Sequence, residues 1–210
     1  LGVGGSVRCV SETGFAFRNR AHLLFKADLF VPCGGRPESI NISNVNELIK
    51  DGDKCNYKYI VEGANLFITR QARLELEKHG VILYPDASAN KGGVTSSSLE
   101  VLVGLSLSDD EYISNMLFVD GKPTQFYMDY VRDIQTNIAR NAHSEFEAIW
   151  REHKDTGKPR SLISTDMSNA LNRLSLQIEN TNLFDQEVLR SKILKLVFPE
   201  TLVNKVGLDV

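Results

Sequence analysis

A short polar stretch around Gly92 and Gly93 carries the side chains whose types and spacing best suit ligand binding. Val94 and Ser97 follow Asn90 by four and seven positions, so the three residues share one face if a helix begins near Asn90. That face would offer a carboxamide, an apolar surface and a hydroxyl. The first N–H groups of a helix bind carboxylates and phosphates, and glycines let such a ligand approach the backbone. The same pattern also fits a helix start in which Asn90 is only the N-cap.

The elements that would position this stretch follow a repeated order of strand, loop and helix. Apolar runs predict buried strands at residues 27–32, 58–62 and 81–85. Helices are predicted at 43–52 and 69–80, and a third over 99–105 after a polar Gly-Gly turn. This rhythm is typical of a parallel sheet with crossover helices.

Each predicted strand is followed by a loop of small residues with one polar side chain. These loops lie at 33–36, 63–65 and 90–97. The carboxyl ends of parallel strands meet at one edge of a sheet, so we expect the loops to converge and form a ligand crevice. The ordinary alternative is that each loop only connects a strand to a helix.

Beyond residue 107 the pattern becomes helical. Ser108 and Glu111 have the spacing of a capping box. A long helix is predicted from Thr124 to about His153, another is capped by Ser164, and a last one runs over 186–198 before Pro199. The predicted buried face of the long helix consists of Tyr127, Val131, Ile134, Ile138, Ala142 and Ile149.

Composition excludes several classes of protein. The 210 residues carry a formal net charge of −3, which argues against nucleic acid as a partner. No apolar run reaches the roughly 18–20 residues that a membrane span needs. Cys9, Cys33 and Cys55 form no C-x-x-C pair, and the histidines have no metal-ligand spacing, so no metal site is predicted.

The first twenty residues give weaker signals. The glycines at 2, 4 and 5 are interpreted as a flexible start or a turn, because no strand precedes them and their order is not G-x-G-x-x-G. Residues 15–19 are interpreted as a short strand or a loop anchor. The chain begins with Leu1 rather than Met, so we expect it to start within a longer protein.

Three motifs together resemble the glutamate dehydrogenases. They are ADLFVPCGG at 27–35, VEGAN at 61–65 and NKGGVT at 90–95. The sequence at 33–39 and 86–100 looks like that of the large-subunit, NAD-specific branch of the family. The resemblance covers about residues 15–210 and extends through the helical tail.

The resemblance implies an α/β fold, with a partial Rossmann-like parallel sheet followed by an all-helical C-terminal region. Residues 1–106 would form the C-terminal half of an NAD-binding domain, and 107–210 the helical region. A catalytic lysine, a catalytic aspartate and the glycine-rich phosphate loop would precede this chain. The chain would then be the C-terminal part of a longer enzyme and inactive by itself.

The resemblance also assigns roles to individual residues. Cofactor contacts are expected at Cys33 and Gly34 near the adenosine of NAD, at Asn65 on a ribose, and at Asn90 and Gly92 near the nicotinamide. Val94 and Ser97 would contact the side chain of glutamate, with the Ser97 hydroxyl at its distal carboxylate.

The implied activity is the NAD-dependent oxidative deamination of L-glutamate to 2-oxoglutarate and ammonia. A homo-oligomer in the cytoplasm or mitochondrial matrix is expected. One alternative is a leucine or phenylalanine dehydrogenase with a related nucleotide domain. Another is a binding or assembly module without catalytic activity.

Overall fold

The computed structural model describes residues 12–50 and 54–208. The chain divides into two compact units. The first comprises Leu1–Asp86 with Pro159–Ser161, and the second Ala87–Lys158 with Leu162–Val210. The predicted division after residue 106 stays a prediction.

The elements are given in chain order. Those that precede residue 86 are α1 (Glu12–Leu24), β1 (Ala27–Phe30), β2 (Ile49–Lys50), β3 (Lys54–Cys55), β4 (Tyr57–Val61), α2 (Arg70–Lys78) and β5 (Ile82–Tyr84). Those that follow are α3 (Asp86–Ala89), α4 (Lys91–Ser106), α5 (Asp109–Met116), α6 (Gln125–Thr156), α7 (Arg160–Glu179), α8 (Glu187–Val197) and α9 (Glu200–Val206). Single 3₁₀ turns lie at Val45–Glu47 and Leu183–Asp185. The chain is therefore α/β, with a helical C-terminal region.

The predicted parallel sheet is confirmed. Its order is β1-β4-β5, and both pairings are parallel, with Leu29 opposite Tyr59 and Ile60 opposite Leu83. The side chains of Ile60 and Leu83 are fully buried, together with Leu76 of α2. Burying these apolar surfaces holds the sheet and α2 together. This arrangement is a partial Rossmann-like fold.

Helix α2 shows why this order of elements forms. Thr69 has an extended backbone, and its hydroxyl accepts the Ala72 N–H, so it is the N-cap that the sequence predicts. The buried residues Ala72 and Leu76 lie one turn apart and contact the core of the first unit. The chain then turns back at Gly80, whose φ of 79° is in the left-handed region, and enters β5.

Two predictions for the first unit are wrong. Residues 15–19 belong to α1 rather than to a strand or loop anchor, and Leu23 at the end of that helix is buried in the core. The helix predicted at 43–52 is only one 3₁₀ turn, followed by β2. The Asn44 side chain accepts the Asn41 N–H and donates to the Ser39 carbonyl, so it stabilises a turn instead of capping a helix. The early glycines and Gly52 lie outside the described residues.

The Gly-Gly turn predicted after β5 is also wrong. The single-turn helix α3 makes this connection, and Gly92 and Gly93 already lie in the first turn of α4. Asn90 occupies the N-cap position of α4, but its side chain makes no capping hydrogen bond.

The second unit has a core of its own. Val103, Leu107, Tyr130 and Leu202 are buried in it, and the Tyr130 hydroxyl donates to the Leu99 carbonyl at 2.6 Å. The capping box is confirmed, because Ser108 accepts the Glu111 N–H and the Glu111 carboxylate accepts the Ser108 N–H.

The predicted buried face of α6 needs correction. Of the predicted face, Ile149 is confirmed as buried, Ala142 is exposed, and the remaining four residues are half-buried. The other buried residues of α6 are Tyr130 and Asn137. Asn137, which the prediction did not include, is buried, and its side chain donates to the Val197 carbonyl.

Two boundaries in the helical region also differ from prediction. Helix α7 begins at Arg160, and Ser164 is a buried residue inside it whose hydroxyl lies 2.6 Å from that of Ser88. Helix α9 follows Pro199 and was not predicted. Proline ends α8, but it also suits the start of a new helix because it needs no intrahelical N–H there.

Within the described ranges, no helix combines the length and apolarity that crossing a bilayer requires.

Candidate functional site

Two loops of the first unit touch where β1 and β4 end. The Ala64 N–H donates to the Pro32 carbonyl at 2.6 Å. A Cβ added at Gly63 would lie 3.1 Å from the Pro32 carbonyl oxygen and 3.2 Å from the Cys33 sulfur. A larger residue than glycine would therefore push the loops apart. This contact places Cys33 beside the loop that carries Asn65.

The predicted cofactor residues of these loops are accessible. Cys33, Gly34 and Asn65 are all exposed. A Cβ added at Gly34 would meet no atom within 4 Å, so packing inside the first unit does not require glycine there. Accessible backbone and a carboxamide at the carboxyl ends of parallel strands are well suited to a polar ligand.

An open groove of about 1120 Å³ lies beside the loop that follows β1, within the first unit. The aromatic rings of Phe25, Phe30 and Tyr57 line it, together with Gly34 and Arg18. The groove thus combines apolar walls with a positive charge. Such a lining suits a ligand that has both a planar apolar group and an anionic group.

Three charged residues lie directly behind the loop that follows β4. We call them the charged cluster: Glu62, Arg73 and Asp86. The Arg73 guanidinium donates to both Glu62 carboxylate oxygens, at 2.7 and 3.0 Å, and to Asp86 Oδ1 at 2.8 Å. Glu62 is fully buried and Asp86 nearly so. A buried carboxylate is tolerated because Arg73 pairs with it in two-pronged geometry.

The electrostatics of the charged cluster reflect its burial. Burial raises the pKa of the Glu62 carboxyl above its usual value, and the neighbouring Asp86 charge acts in the same direction. The hydrogen bonds and charge of Arg73 oppose this shift in pKa. Arg73 is therefore the group that allows two carboxylates to remain close together behind the loop.

In the second unit, the predicted residues lie on the first turns of α4. Asn90 is half-buried at the N-cap position, and a Cβ added at Gly92 would lie 3.2 Å from Ile138 Cγ2 of α6. Gly92 therefore brings the start of α4 close to α6. The exposed first turn of a helix carries N–H groups without intrahelical partners, which favour an anionic ligand.

Val94 and Ser97 follow on the same helix. Val94 is 73% exposed, so core packing in the second unit does not account for this apolar residue. The Ser97 hydroxyl donates to the Gly93 carbonyl at 3.0 Å and remains exposed. A hydroxyl and an exposed apolar side chain at this place can contact an amino acid side chain.

Lys91, the first residue of α4, is held by an ion pair. Its ammonium lies 2.7 and 2.8 Å from the two carboxylate oxygens of Glu145 on α6. This pair links the two helices and neutralises the Lys91 charge locally, so the contact is structural. In the described part of the chain, no three His, Cys, Asp or Glu side chains are grouped to hold a metal ion.

The structure thus joins the Cys33 and Asn65 loops, and it places Asn90, Gly92, Val94 and Ser97 together on α4. The convergence of the α4 residues with the two loops stays a prediction.

Sequence reasoning missed the charged cluster. A signal was present, since Glu62 and Asp86 each come at the end of an apolar strand, where charged residues are often functional.

A comparison with protein families finds one match that spans most of the chain. The family model of the glutamate/leucine/phenylalanine/valine dehydrogenases matches residues 5–157. The match includes the two joined loops, the charged cluster and the beginning of α4.

Several curated proteins are similar over nearly the whole chain. An NAD-specific glutamate dehydrogenase of Neurospora crassa is 53% identical over 95% of this chain. A probable NAD-specific glutamate dehydrogenase of Schizosaccharomyces pombe and glutamate dehydrogenase 2 of Dictyostelium discoideum are 50% and 46% identical over the same share. The aligned region makes up 19%, 18% and 19% of these three proteins, so the chain spans about a fifth of their length.

Proposed function

The chain belongs to the glutamate/leucine/phenylalanine/valine dehydrogenase family, and from this premise we propose that it is part of an NAD-dependent glutamate dehydrogenase. The whole enzyme would oxidatively deaminate L-glutamate to 2-oxoglutarate and ammonia. The observation that carries this proposal is the similarity to proteins named NAD-specific glutamate dehydrogenase, at 41–53% identity over nearly the whole chain.

The residues at the ends of β1 and β4 fit a dinucleotide. Gly34 leaves open space where a side chain would stand, and Cys33 and Asn65 are exposed beside it. Bound NAD supplies the acceptor for the hydride that leaves the substrate. In this proposal Cys33, Gly34 and Asn65 hold the cofactor, as do Asn90 and Gly92 of α4.

The substrate contacts in this proposal are Val94 and Ser97. The Ser97 hydroxyl exchanges its hydrogen bond to the Gly93 carbonyl for one to the distal carboxylate of glutamate, and Val94 packs against the methylene groups of the substrate. The positive end of the α4 dipole favours the same negative charge. These residues orient the substrate, which matters because hydride transfer needs reacting atoms at roughly 3–3.5 Å.

The enzyme is further proposed to be a homo-oligomer in the cytoplasm or the mitochondrial matrix. Large apolar side chains exposed on α8, among them Val188 and Leu196, support contact with another protein surface. Sedimentation of the full-length protein and fractionation of cells that express it test these two statements.

The decisive experiment is a substrate panel on the full-length protein that contains this chain. L-glutamate, L-leucine and L-phenylalanine are each offered with NAD⁺ and with NADP⁺, and formation of the reduced nucleotide is followed. The proposal expects the highest kcat/KM for glutamate with NAD⁺. Preference for leucine or phenylalanine would identify a related dehydrogenase instead. Turnover of none of them would favour a binding or assembly module.

A further inference from the structure

The charged cluster holds the backbone of the loop that carries Asn65 at two points. Asp86 Oδ2 accepts the Leu66 N–H at 2.7 Å, and Glu62 Oε2 accepts the Ile68 N–H at 3.2 Å. Both carboxylates are also bonded to Arg73. The loop is thus attached to a single ion-paired group on its inner side, while Asn65 is exposed on its outer side.

Leu66, whose N–H donates to Asp86, has an unusual backbone conformation. Leu66 has a φ of 54°, in the left-handed region that residues other than glycine, asparagine and aspartate rarely adopt. Its side chain is 62% exposed, so burial of the leucine does not compensate for this conformation. Strained positions persist when the surrounding structure determines them. The hydrogen bond to Asp86 helps to hold the conformation of Leu66, which immediately follows Asn65.

The chemistry of the charged cluster suits positioning better than general stabilisation. Two carboxylates and one guanidinium are costly to bury, and apolar residues of similar volume would serve a core at least as well. A carboxylate, however, gives directional bonds to backbone N–H groups, and the bidentate Arg73 fixes the orientation of both carboxylates. Glu62 directly follows β4 and Asp86 comes two positions after β5, the neighbouring strand, so Arg73 of α2 also ties the loop to the sheet.

We propose that Asp86, held by Arg73, which Glu62 in turn orients, is a positioning residue that fixes Asn65 for contact with the dinucleotide. This inference rests on the proposed function, in which Asn65 contacts the cofactor. Asp86 does not itself touch the ligand. It acts through the Leu66 N–H, and loss of its charge loosens the loop at the residue next to Asn65.

The test is a double-mutant cycle in the full-length enzyme that contains this chain. Asp86→Asn keeps the size of the side chain but removes its charge, and Asn65→Ala removes the carboxamide. We expect each single variant to raise KM for NAD⁺ about tenfold, the effect of losing one charged or well-placed hydrogen bond. The KM for glutamate stays within twofold. In the Asn65→Ala background, Asp86→Asn adds no further increase, because its effect passes through Asn65.

A matched control and a second variant complete the design. Asp28→Asn changes an exposed aspartate of β1 in the same unit, and we expect it to leave both KM values unchanged. If Asp86→Asn fails to fold, Arg73→Lys replaces it in the cycle. Lysine keeps the positive charge but cannot bond both carboxylates in the same geometry.

The outcomes separate this inference from the proposed function. If Asn65→Ala leaves KM for NAD⁺ unchanged, the assigned role of Asn65 fails, and the inference fails with it. If Asn65→Ala raises that KM but the Asp86 or Arg73 variant adds its full effect in both backgrounds, only the positioning role is overturned. A rise in both KM values together with a loss of thermal stability would show that the charged cluster is merely structural.

Discussion

Ser96 and Ser97 are neighbours on α4 that make the same backbone contact. Their hydroxyls donate to the Gly93 carbonyl at 2.9 and 3.0 Å. Replacing either by alanine therefore removes one equivalent intrahelical bond. Only Ser97 shares a helix face with Asn90 and Val94, so the pair separates a substrate contact from a local helix effect.

We expect Ser97→Ala in the full-length enzyme to raise KM for glutamate about tenfold, because a hydrogen bond to a carboxylate is lost. The KM for NAD⁺ should stay unchanged. Steady-state kinetics at saturating cofactor measure both values. Ser96→Ala is the matched control, and equal effects of the two variants would contradict the role of Ser97.

A second prediction concerns the single residue Asn90. Its side chain makes no capping bond, so Asn90→Ala removes no N-cap hydrogen bond from α4. We expect KM for NAD⁺ to rise at least fivefold, since loss of one hydrogen bond costs about 1–1.5 kcal/mol. Kinetics and thermal unfolding are measured together, with exposed Asn172→Ala as control. Unchanged NAD⁺ kinetics would argue against the cofactor role.

The sequence predicts residues of this kind only when they follow a period or a motif. Helical spacing singles out Val94 and Ser97, and the resemblance to a family assigns Cys33 and Asn65 within loops that follow apolar strands. Arg73 follows Glu62 by eleven positions and lies on another element, so no helical or strand period connects them. Whether such charges are buried together depends on the folded packing of β4, α2 and β5, which composition does not reveal.

At the scale of elements, the two glycines that begin α4 differ in their surroundings. A Cβ at Gly93 would meet no atom within 4 Å, whereas one at Gly92 would lie 3.2 Å from Ile138 Cγ2. Glycine destabilises a helix relative to alanine by roughly 0.5–1 kcal/mol. The two positions should therefore respond differently to the same substitution.

We expect Gly93→Ala to raise the unfolding free energy of the 210-residue chain by about 0.5–1 kcal/mol. Gly92→Ala should gain less or lose stability, because Ile138 must move to make room. Urea unfolding followed by circular dichroism compares the two variants. A larger gain for Gly92→Ala would mean that α4 and α6 are not packed as described.

The end of α1 carries a titratable group inside the first unit. The His22 ring packs edge-on against Phe67, with centroids 5.4 Å apart, and its Nε2 lies 3.2 Å from the Ser39 carbonyl oxygen. Burial lowers the pKa of His22 from the usual 6.5, although the Ser39 carbonyl and the charge of Glu47 oppose this. The folded chain therefore prefers the neutral imidazole.

A pH dependence follows from this lowered pKa. Below pH 6.5 the unfolded chain binds a proton at His22 more readily than the folded chain does. The unfolding free energy should therefore fall as the pH drops through this range. We expect His22→Gln to flatten that slope in thermal unfolding of the chain, whereas exposed His143→Gln should not. An unchanged slope in His22→Gln would contradict burial of the neutral ring.

The success of element prediction has a physical basis. The three strands of the parallel sheet were predicted because they are short apolar runs bounded by turn residues, whereas the two-residue strands β2 and β3 were not. The helix starts at Thr69 and Ser108 were predicted because capping is local chemistry. Helix α1 was missed because its polar sequence has no clear apolar face, and Leu23 is its buried anchor only in the folded unit. Helix α9 was missed because Pro199 was interpreted only as an end.

At the scale of the whole molecule, the chain contains a small parallel sheet and many exposed apolar helical residues. On α7 and α8, Leu171, Leu176, Val188 and Leu196 are each more than half exposed. Because the chain spans about a fifth of its relatives, much apolar surface is available to contact the rest of a longer protein. The residues proposed to hold cofactor and substrate are present, whereas no residue of the chain is assigned to the chemical step.

We therefore expect the purified 210-residue chain to produce no NADH from L-glutamate, while the full-length protein does. Binding residues alone orient ligands, but oxidative deamination also needs groups that move the protons released from the amino group and from the attacking water. Formation of NADH is followed over hours, with the 210-residue chain and the full-length protein each at high concentration. The full-length Ser97→Ala variant is the slow but active reference. Steady turnover by the short chain would mean that its own residues perform the chemistry.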